Sequence, residues 1–482
     1  MDLGLFIFSS LKLEAWSLKL HNPPMPDAWK DVAQLKSELA GCVAFEPGGV
    51  KVTDERAFVD KKLDALVATS VFGSDAAVKD AARWTIRAAS NALGAVSSSI
   101  QGLYDAIAAG KASGFTVPAH NIRGLVYDKA RALFRVAKEF DAGAFIFEIA
   151  KSEMGYCDLK PAEYAPCVLA GAIKEGWRGP VFIQGDHFQF AMKDYQKDPV
   201  ATTEGIRKLT REAIAAGFFN IDIDSSTLVV LERPTVKEQQ RDNFERCAEL
   251  TALIRELEPK GVTISVGGEI GEVGKKNSTV EEFEEYFKGY REKWSGKPIS
   301  KMSVQTGTSH GGVILPDGSR QEVSIDFNVL KEITASCRRN GLAGTVQHGA
   351  STLPEKLFDQ FPRHDAIEIH LATEFQRLVF DHPKFPAELR EKMHKWVRDT
   401  KPPEWKEGAS DAQNIEKCIK RAWGPHKKEI WSLPADAHAA IVDTLENKFR
   451  TLFKLLNVRG TRSVVRDFVK PVPVNGQKPA GL

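Results

Sequence analysis

The stretch from residue 115 to about residue 396 repeats one pattern eight times, a short β-rich apolar run followed by an amphipathic helical stretch. The runs are Phe115–Pro118, Ala144–Ile149, Pro180–Gln184, Phe218–Asp224, Val262–Val266, Met302–Gln305, Ala343–Gln347 and Ala366–Leu371. Alternating strands and helices are typical of βαβ units around a parallel sheet. Eight units predict an α/β fold of the (β/α)₈ TIM-barrel type. A doubly wound sheet stays open, because alternation does not give the strand order.

Segments with helical spacing flank this pattern on both sides. Residues 1–101 are predicted to form a helical N-terminal extension, most clearly over Asp75–Ala95. Residues 102–396 are predicted to be the catalytic barrel. Residues 397–482 are predicted to be a C-terminal helical extension and tail, with helices near Ile415–Ala422 and Ala435–Leu456. The sequence therefore predicts one barrel with an addition at each end.

Composition narrows the classes of partner. The chain is 43% hydrophobic and 27% charged, as expected of a globular protein with a large core. Its 66 Lys and Arg against 64 Asp and Glu give a net charge of +2, which offers no reason to expect nucleic acid or an anionic membrane as partner. The apolar run Leu3–Phe8 is too short to span a membrane. We expect a cytoplasmic protein with a small-molecule substrate.

The six cysteines and the missing motifs exclude several kinds of site. No two cysteines have the CxxC spacing, so buried free thiols are expected rather than disulfides or a thiolate zinc site. The sequence also lacks a Walker loop, a GxSxG elbow and an HExxH helix. The chemistry is therefore expected at the strand ends of the barrel.

Histidines follow three of the predicted strands. The active site of a TIM barrel lies at the carboxyl ends of its strands, and His187, His310 and His348 all stand there. One such histidine is more often structural, but three at equivalent positions are predicted to face one pocket. Three neutral imidazoles with an open coordination position are the arrangement of a catalytic Zn²⁺ site.

Acidic residues follow the same strands. Asp222 or Asp224, together with Glu269, could bind a second metal position or orient the imidazoles, and the other interpretation is a helix cap or a buried ion pair. Asp186 directly precedes His187 and is a candidate to transfer a proton to or from a substrate oxygen. Its other interpretation is a hydrogen-bond acceptor for a metal-bound histidine.

Small and polar residues after the later strands are candidates for substrate binding. Gly311, Gly349, Ser351 and Thr373 could let backbone amides approach an anion, as phosphate sites near strands seven and eight of such barrels do. Taken alone, these residues are better explained as tight turns. His370, in the last strand, is the remaining candidate for a contact with the substrate.

In their order along the chain these residues resemble the class II, metal-dependent ketose-bisphosphate aldolases, from about Gly102 to Trp396. The likeness is carried by the Ala119-His120-Asn121 turn, the Asp186-His187 pair, the segment at Asp222, Glu269-Ile270-Gly271, Gly307–Gly311, His348–Ser351 and Ile325-Asp326-Phe327. It implies one Zn²⁺ per chain on His187, His310 and His348, with Asp186 transferring the proton. It also implies a second divalent or monovalent cation at Asp222 and Glu269, and a homodimer or homotetramer.

Three places depart from that family's pattern. The last strand reads His370-Leu371-Ala372-Thr373 where the family has Asn-Ile-Asp-Thr, and the glycine-rich turn after His348 has lost a glycine. The loop Gly271–Lys276 lacks the usual acidic pair, with Glu272 as its candidate substitute. These changes affect substrate recognition and proton transfer and leave the three histidines intact.

The resemblance favours a zinc-dependent carbon–carbon lyase that acts on a ketose phosphate or related keto-sugar through an enediolate stabilised by the metal. A keto-sugar epimerase on the same scaffold is the first alternative, favoured by the altered phosphate turn. A non-catalytic accessory subunit is the second alternative, favoured by the missing loop acids and the extra helices. Retention of the three histidines counts against the accessory subunit.

Overall fold

A computed structural model of the chain describes residues 25–271, 276–307, 325–350 and 353–482. Eleven strands lie in these ranges: β1 (Val43–Glu46), β2 (Gly49–Val52), β3 (Ala95–Ser98), β4 (Val117–Asn121), β5 (Ile146–Ala150), β6 (Gly179–Gln189), β7 (Asn220–Asp224), β8 (Ser265–Glu269), β9 (Lys301–Val304), β10 (Gly344–Gln347) and β11 (Glu368–Leu371).

Strands β4 to β11 form a closed parallel barrel. Each pairs in parallel with the next, and β11 pairs with β4, where Leu371 lies opposite His120. The predicted (β/α)₈ TIM barrel is therefore confirmed. The doubly wound sheet is excluded, because an open sheet has two edges and this ring has none.

Helices surround the ring of strands. The main ones are Val126–Glu139, Pro161–Lys174, Pro199–Ala216, Arg241–Leu257, Val280–Lys293, Phe327–Arg339 and Thr373–Phe380. Short helices in the loops are Lys151–Tyr156, Met192–Lys197, Ser226–Leu228, Val236–Gln239, Glu355–Leu357 and Gln360–Arg363. Helix Ala435–Leu455, from the C-terminal part, packs between the first and last main helices and completes the ring.

Local sequence signals fix where several of these helices begin and end. Helix Pro199–Ala216 begins where the Asp198 carboxylate accepts a hydrogen bond from the Ala201 amide, and it ends at Gly217, whose φ is 98°. Helix Val280–Lys293 begins with a capping box in which Thr279 and Glu282 accept each other's backbone amides. These ends set the length of the loops that carry the site.

The N-terminal part contains strands as well as the predicted helices. Its helices are Val32–Leu39, Glu55–Ala57, Phe58–Lys62, Leu63–Phe72, Ala76–Ala92 and Gln101–Ala108. Strands β1 and β2 form an antiparallel hairpin, and β3 pairs in parallel with the start of β6, Ala95 opposite Gly179. All four residues of β3 are buried, so no alternation marked it in the sequence.

The C-terminal part is helical, as predicted. Its helices are Ala387–Thr400, Asp411–Cys418, Ile419–Ala422, Lys427–Trp431, Ala435–Leu455 and Thr461–Phe468. No helix of the described residues is long and apolar enough to cross a membrane. All six cysteines are buried and free, as expected. The division at residues 101 and 396 stays a prediction.

Five of the eight predicted strands begin two or three residues later in the structure. Their predicted first residues are Phe115, Ala144, Phe218, Val262 and Ala366. These apolar residues are buried, yet they precede the first strand pairing. Apolar character marks burial rather than strand pairing, so the sequence overextends the strands towards the bottom of the barrel.

The interior of the barrel carries polar side chains as well as apolar ones. Alternate residues of a barrel strand face inwards, and among the buried polar residues of these strands are Glu148, Gln184, Asp222, Lys301 and Glu368. Burial of this many charged groups requires that they contact one another or a ligand. The interior is therefore where the candidate site begins.

Candidate metal centre and substrate cavity

A bulge at the end of β6 brings Asp186 and His187 to the mouth of the barrel. The pairing of β6 with β7 shifts register between Gly185 and Phe188, and such a bulge redirects side chains. His187 adopts a φ of 41°, in the left-handed region that residues other than glycine rarely occupy. A Cβ at position 185 would lie 2.4 Å from the Phe188 ring, so the bulge requires glycine there.

The imidazole of His187 is oriented by Asp224. Its Nδ1 donates a hydrogen bond of 2.9 Å to Asp224 Oδ2, and Gln189 Nε2 donates to the same oxygen at 2.5 Å. The Ser226 hydroxyl donates to the other oxygen, Oδ1, at 2.7 Å. The second ring nitrogen of His187, Nε2, is therefore the one that can coordinate an ion, as in carboxylate–histidine–metal arrangements.

The electrostatic field at this place favours positive charge. Burial by itself lowers the pKa of His187, but Asp186, Glu269 and Asp224 together hold it well above the usual value. Burial raises the pKa of Asp224, but the hydrogen bond and charge of His187, with the hydrogen bonds from Ser226 and Gln189, outweigh burial, so the net pKa falls below its usual value. The Asp224 carboxylate thus remains ionised beside the imidazole, and the field of the three acids favours a cation there.

His348 lies beside His187, just after β10. The two ring centroids are 4.4 Å apart, and the Ser303 hydroxyl lies 3.1 Å from His348 Nε2. The Glu269 Oε2 atom is 3.5 Å from His187 Nδ1 and 3.9 Å from His348 Nδ1. The structure therefore brings together two of the three predicted histidines with a predicted acid.

These side chains fit a divalent metal ion. Asp186, His187 and His348 each offer a donor atom, and the three atoms lie within 4.8 Å of one another. A second set, His187, Asp224 and Glu269, meets the same limit. Imidazole nitrogens combined with carboxylate oxygens suit zinc and similar divalent ions. The third predicted histidine, His310, lies outside the described residues.

Asp222 lies deeper in the barrel, away from Glu269. Its Oδ2 accepts a hydrogen bond of 2.9 Å from Lys301 Nζ, which also donates to Glu368 Oε1 at 2.5 Å and to Gln184 Oε1 at 2.8 Å. Burial raises the pKa of Asp222 to about 6, against the opposing effect of Lys301. Of the two aspartates of β7, Asp222 is in an ion pair and Asp224 orients a histidine. Both roles were among the interpretations that the sequence left open.

His370 lies between the Lys301 ion pairs and the histidines at the mouth of the barrel. Its Nε2 lies 2.6 Å from Glu368 Oε1, and its Nδ1 lies 3.1 Å from Glu148 Oε2 and 3.2 Å from Asp186 Oδ1. Its ring stacks on His348 with centroids 4.3 Å apart. Burial lowers the pKa of His370, but Glu148 and Asp186 hold it well above the usual value. His370 thus contacts the predicted catalytic acid directly.

Four residues at the site were missed from the sequence: Glu148, Gln184, Lys301 and Glu368. All four are buried inside strands, whereas the candidates predicted from the sequence stand mostly at or after the ends of strands. A signal was present, because Glu148 interrupts an otherwise apolar run and Glu368 lies with His370 in another mainly apolar run. A charged residue in a buried strand needs a partner inside the protein.

A cavity of about 650 Å³ opens above these residues. Asp186, His187, His348 and His370 line it, and so do Gly349 and Thr373, which were predicted to contact substrate. A volume of this size accommodates a small organic ligand. Gly311 and Ser351, the other two predicted substrate contacts, lie outside the described residues.

Basic residues line the outer part of this cavity. Lys151 and Arg123 come from the barrel, while Lys417 and Lys420 come from the C-terminal part of the chain. Arg123 is in an ion pair of 2.5 Å with Glu153, and Lys151 Nζ donates to the Gln189 carbonyl. The C-terminal helices therefore contribute directly to the cavity wall.

Comparison with known proteins identifies the family of the chain. The family model described as fructose-bisphosphate aldolase class II matches residues 102–450. The chain belongs to the class II fructose-bisphosphate aldolase family. The match continues into helix Ala435–Leu455, the helix that completes the ring around the barrel. No curated protein matches the sequence.

Solved structures also resemble this chain, at low sequence identity. The fructose-bisphosphate aldolase of Campylobacter jejuni is 16% identical over 74% of this chain and 94% of its own, with a TM-score of 0.42. The native fructuronate-tagaturonate epimerase of Cohnella laeviribosi is 11% identical over 72% of this chain and 82% of its own, with a TM-score of 0.51. The likeness to the epimerase structure, at 11% identity, concerns the fold alone.

Proposed function

We propose that this class II aldolase family member is a metal-dependent carbon–carbon lyase, which cleaves or forms a ketose phosphate or a related acyclic keto-sugar. The observation that carries the proposal is the set of donor atoms from Asp186, His187 and His348, which lie within 4.8 Å of one another in the wall of the 650 Å³ cavity. A carboxylate and two imidazoles in one cavity combine metal ligands with a group that can transfer a proton.

His187 and His348 would hold the metal, with His310 as the third ligand that the family resemblance implies. Asp224 contributes by fixing the orientation of the His187 ring. A divalent ion bound there, Zn²⁺ by the same resemblance, would supply Lewis-acid polarisation of a substrate carbonyl.

Asp186 would handle the proton of the reaction. In cleavage it accepts the proton of the substrate hydroxyl, which becomes the aldehyde carbonyl as the adjacent carbon–carbon bond breaks, and in condensation it returns that proton. The side chain is 4% exposed, and His370 Nδ1 lies 3.2 Å from its Oδ1. A positioned general base of this kind contributes on the order of 10²–10⁴ to the rate.

The basic outer wall supports a substrate with an anionic end. Lys151, Lys417 and Lys420 line the cavity, where a phosphate or carboxylate of the substrate would meet them. Positive charge along one wall of a cavity raises the local concentration of an anionic substrate. A homodimer or homotetramer and a cytoplasmic location stay predictions of the family resemblance and of the composition.

The deciding experiment incubates the purified protein with ketose phosphates and with unphosphorylated keto-sugars, before and after chelation. We expect aldehyde release from at least one ketose, loss of activity on chelation and recovery with Zn²⁺. His187→Ala is expected to lower kcat/KM by about 10³-fold, because several kcal/mol of charge stabilisation are lost. His394→Ala, on the outer helix Ala387–Thr400, is the matched control and is expected to keep activity.

Other outcomes lead to the alternatives. If the only product is a ketose with one inverted carbon centre, the keto-sugar epimerase replaces the lyase as the proposed function. Aldehyde release that survives both chelation and His187→Ala would exclude the metal centre from the reaction. If the protein forms neither product and takes up no metal, the accessory subunit is favoured.

A further inference from the structure

A second cavity, of about 380 Å³, lies beside the first. Most of its lining residues belong to three helices, Thr373–Phe380, Ala387–Thr400 and Asp411–Cys418. We call it the outer cavity, and the 650 Å³ cavity of the candidate metal centre the mouth cavity. Gln376 and Glu416 line both. The outer cavity has room for a small organic ligand, and no step of the proposed reaction uses it.

Part of the outer cavity is apolar. Phe380, Phe385 and Met393 line it, and each is at most 4% exposed. Ile415 and Ile419 line it as well. A ligand with an apolar body would be stabilised by burial against these side chains.

Three acids and three arginines also line the outer cavity, and two of the arginines pair with all three acids. Arg377 Nε lies 3.2 Å from Asp381 Oδ2 and 3.9 Å from Glu416 Oε1. Arg398 Nη2 lies 3.0 Å from Asp411 Oδ2. The acids of this cavity are therefore already paired.

The third arginine, Arg390, forms no ion pair with a carboxylate of the described residues. Its Nε donates to the Phe380 carbonyl at 3.0 Å and its Nη2 to the His382 carbonyl at 2.9 Å, and neither bond uses Nη1. The guanidinium carbon lies 5.7 Å from the centroid of the Phe385 ring. These contacts fix the guanidinium without neutralising it. A carboxylate in the cavity would pair with it.

Helix Asp411–Cys418 connects the two cavities. Ala412 and Ile415 line the outer cavity, Lys417 lines the mouth cavity, and Glu416 lines both. A helix is a rigid element that carries coupling between two sites when both contact it. A ligand that displaces this helix from the outer cavity would therefore also displace Lys417, which the proposed function places near the anionic end of the substrate.

Gln376 provides a second connection. Its side chain is buried, and its Oε1 accepts hydrogen bonds from Arg123 Nη1 at 3.4 Å and from Trp423 Nε1 at 3.2 Å. Arg123 lines the mouth cavity. A change in the position of Gln376 would therefore change the contacts of a residue in the mouth cavity.

We propose that the outer cavity binds a small monocarboxylate with an apolar body, and that this ligand changes the affinity of the mouth cavity for its substrate. The carboxylate pairs with Arg390, and the apolar body lies against Phe380, Phe385 and Met393. The binding site is independent of the reaction, whereas the coupling rests on the proposed function. Coupling between two sites typically changes an affinity about 5–150-fold.

Calorimetric titration of the full-length protein with phenylacetate tests the site. We expect one molecule per chain with a Kd of about 1 mM. Phenylacetamide, which lacks the charge, and the variant Arg390→Met should each weaken binding at least about tenfold. Lys395→Ala, an exposed residue of the same helix, is the control and should keep the affinity. No binding at about 10 mM, or unchanged affinity in Arg390→Met, would overturn the site.

Ala412→Trp is a second variant, which leaves Arg390 and its carbonyl contacts in place. Ala412 is exposed and lines the outer cavity, so a large side chain there fills the cavity without entering the core. We expect it to abolish phenylacetate binding. Replacing Lys417 and Lys420 of the mouth cavity with Ala should preserve binding. The reverse pattern would place phenylacetate in the mouth cavity and overturn the proposal.

Steady-state kinetics test the coupling. Saturating phenylacetate is expected to change KM for the cleaved ketose about 5-fold in the wild type and to leave it unchanged in Arg390→Met. An unchanged KM in the wild type would overturn the coupling. Phenylacetate binding without any ketose cleavage would uphold the site and refute the lyase, and the coupling with it, so the failures of the two proposals are distinguishable.

Discussion

The barrel interior contains two groups of mostly buried polar and charged residues that differ in how their charges are satisfied. The mouth cluster consists of Asp186, His187, Asp224, Glu269 and His348, and the inner network of Tyr104, Gln184, Asp222, Lys301 and Glu368. In the inner network one ammonium group donates to two carboxylates and an amide. In the mouth cluster, histidines meet several carboxylates, and the donors face a cavity. The first arrangement pairs its ammonium group inside the protein and leaves only Asp222 Oδ1 without a hydrogen-bond partner, while the second is open to a ligand.

Strand β7 shows how small the difference in position is. Asp222 and Asp224 are two residues apart, so both face inwards and lie roughly 6.6 Å apart along the strand. The deeper residue contacts Lys301, and the residue nearer the mouth contacts His187. Depth in the barrel, rather than residue type, assigns one aspartate to structure and the other to the candidate metal centre.

Replacing the central cation of the inner network should have the largest effect. Lys301→Met removes the Lys301 ion pairs of Asp222 and Glu368 and leaves His370 as their remaining charged neighbour, which costs about 3–5 kcal/mol of unfolding free energy. Urea unfolding followed by circular dichroism measures the loss. The double variant Lys301→Met with Glu368→Gln should recover part of it, because one uncompensated acid is removed. A loss below about 1 kcal/mol in the single variant would mean that the network does not stabilise the barrel.

At the mouth the same kind of substitution should change metal affinity instead. Asp224→Asn keeps the shape of the side chain but weakens its hydrogen bond with His187, and such changes typically lower metal affinity about 10–100-fold. Competition with a fluorescent chelator measures the affinity. Asp326→Asn, at the cap of helix Phe327–Arg339, is the control and should leave it unchanged. Unchanged metal affinity in Asp224→Asn would show that Asp224 is structural, like Asp222.

The cavity wall above the mouth should affect substrate affinity only. Replacing both Lys417 and Lys420 with Ala is expected to raise KM for an anionic ketose about 10-fold with kcat nearly unchanged, since about 1.4 kcal/mol corresponds to tenfold. The effect should shrink as ionic strength rises. Lys395→Ala, in an exposed ion pair with Asp399, is the matched control. A fall in kcat with constant KM would instead connect these lysines with the chemical step.

The smallest effect is expected at a pair outside the barrel interior. His438, on helix Ala435–Leu455, lies 3.3 Å from Asp128 on helix Val126–Glu139. Burial lowers the pKa of His438, but Asp128 raises it more, so the net pKa lies above the usual value. The stabilisation is therefore complete below about pH 6.5 and is lost as the pH rises through the higher value in the folded state. Between pH 5.5 and pH 8.5 the unfolding free energy should fall more in the wild type than in His438→Leu. The difference between the two falls is expected to be below about 1 kcal/mol. Equal slopes would show that this pair does not anchor the helix.

The barrel could be predicted from the sequence because the pattern that indicates it, apolar runs followed by helices, lies in short segments of the chain. Eight apolar runs, each followed by a helix, leave few parallel arrangements, and all eight strands occur where the runs lie. The Asp186-His187 pair and His348 were also predicted, because residues after barrel strands meet at one end. Strand β3 escaped prediction, since its pairing with the first residues of β6 connects parts of the chain more than eighty residues apart.

Only the tertiary structure decided which partner each buried acid contacts. Asp222, Asp224, Glu148 and Glu368 look alike in sequence, and only their distances from Lys301, His187 and His370 distinguish them. It also placed Lys417 and Lys420 in the wall of a cavity formed mainly by residues far earlier in the chain. Periodicity determines which faces are buried. Partner choice among buried charges depends on distances of a few ångströms between strands, and those distances are set only when the ring closes.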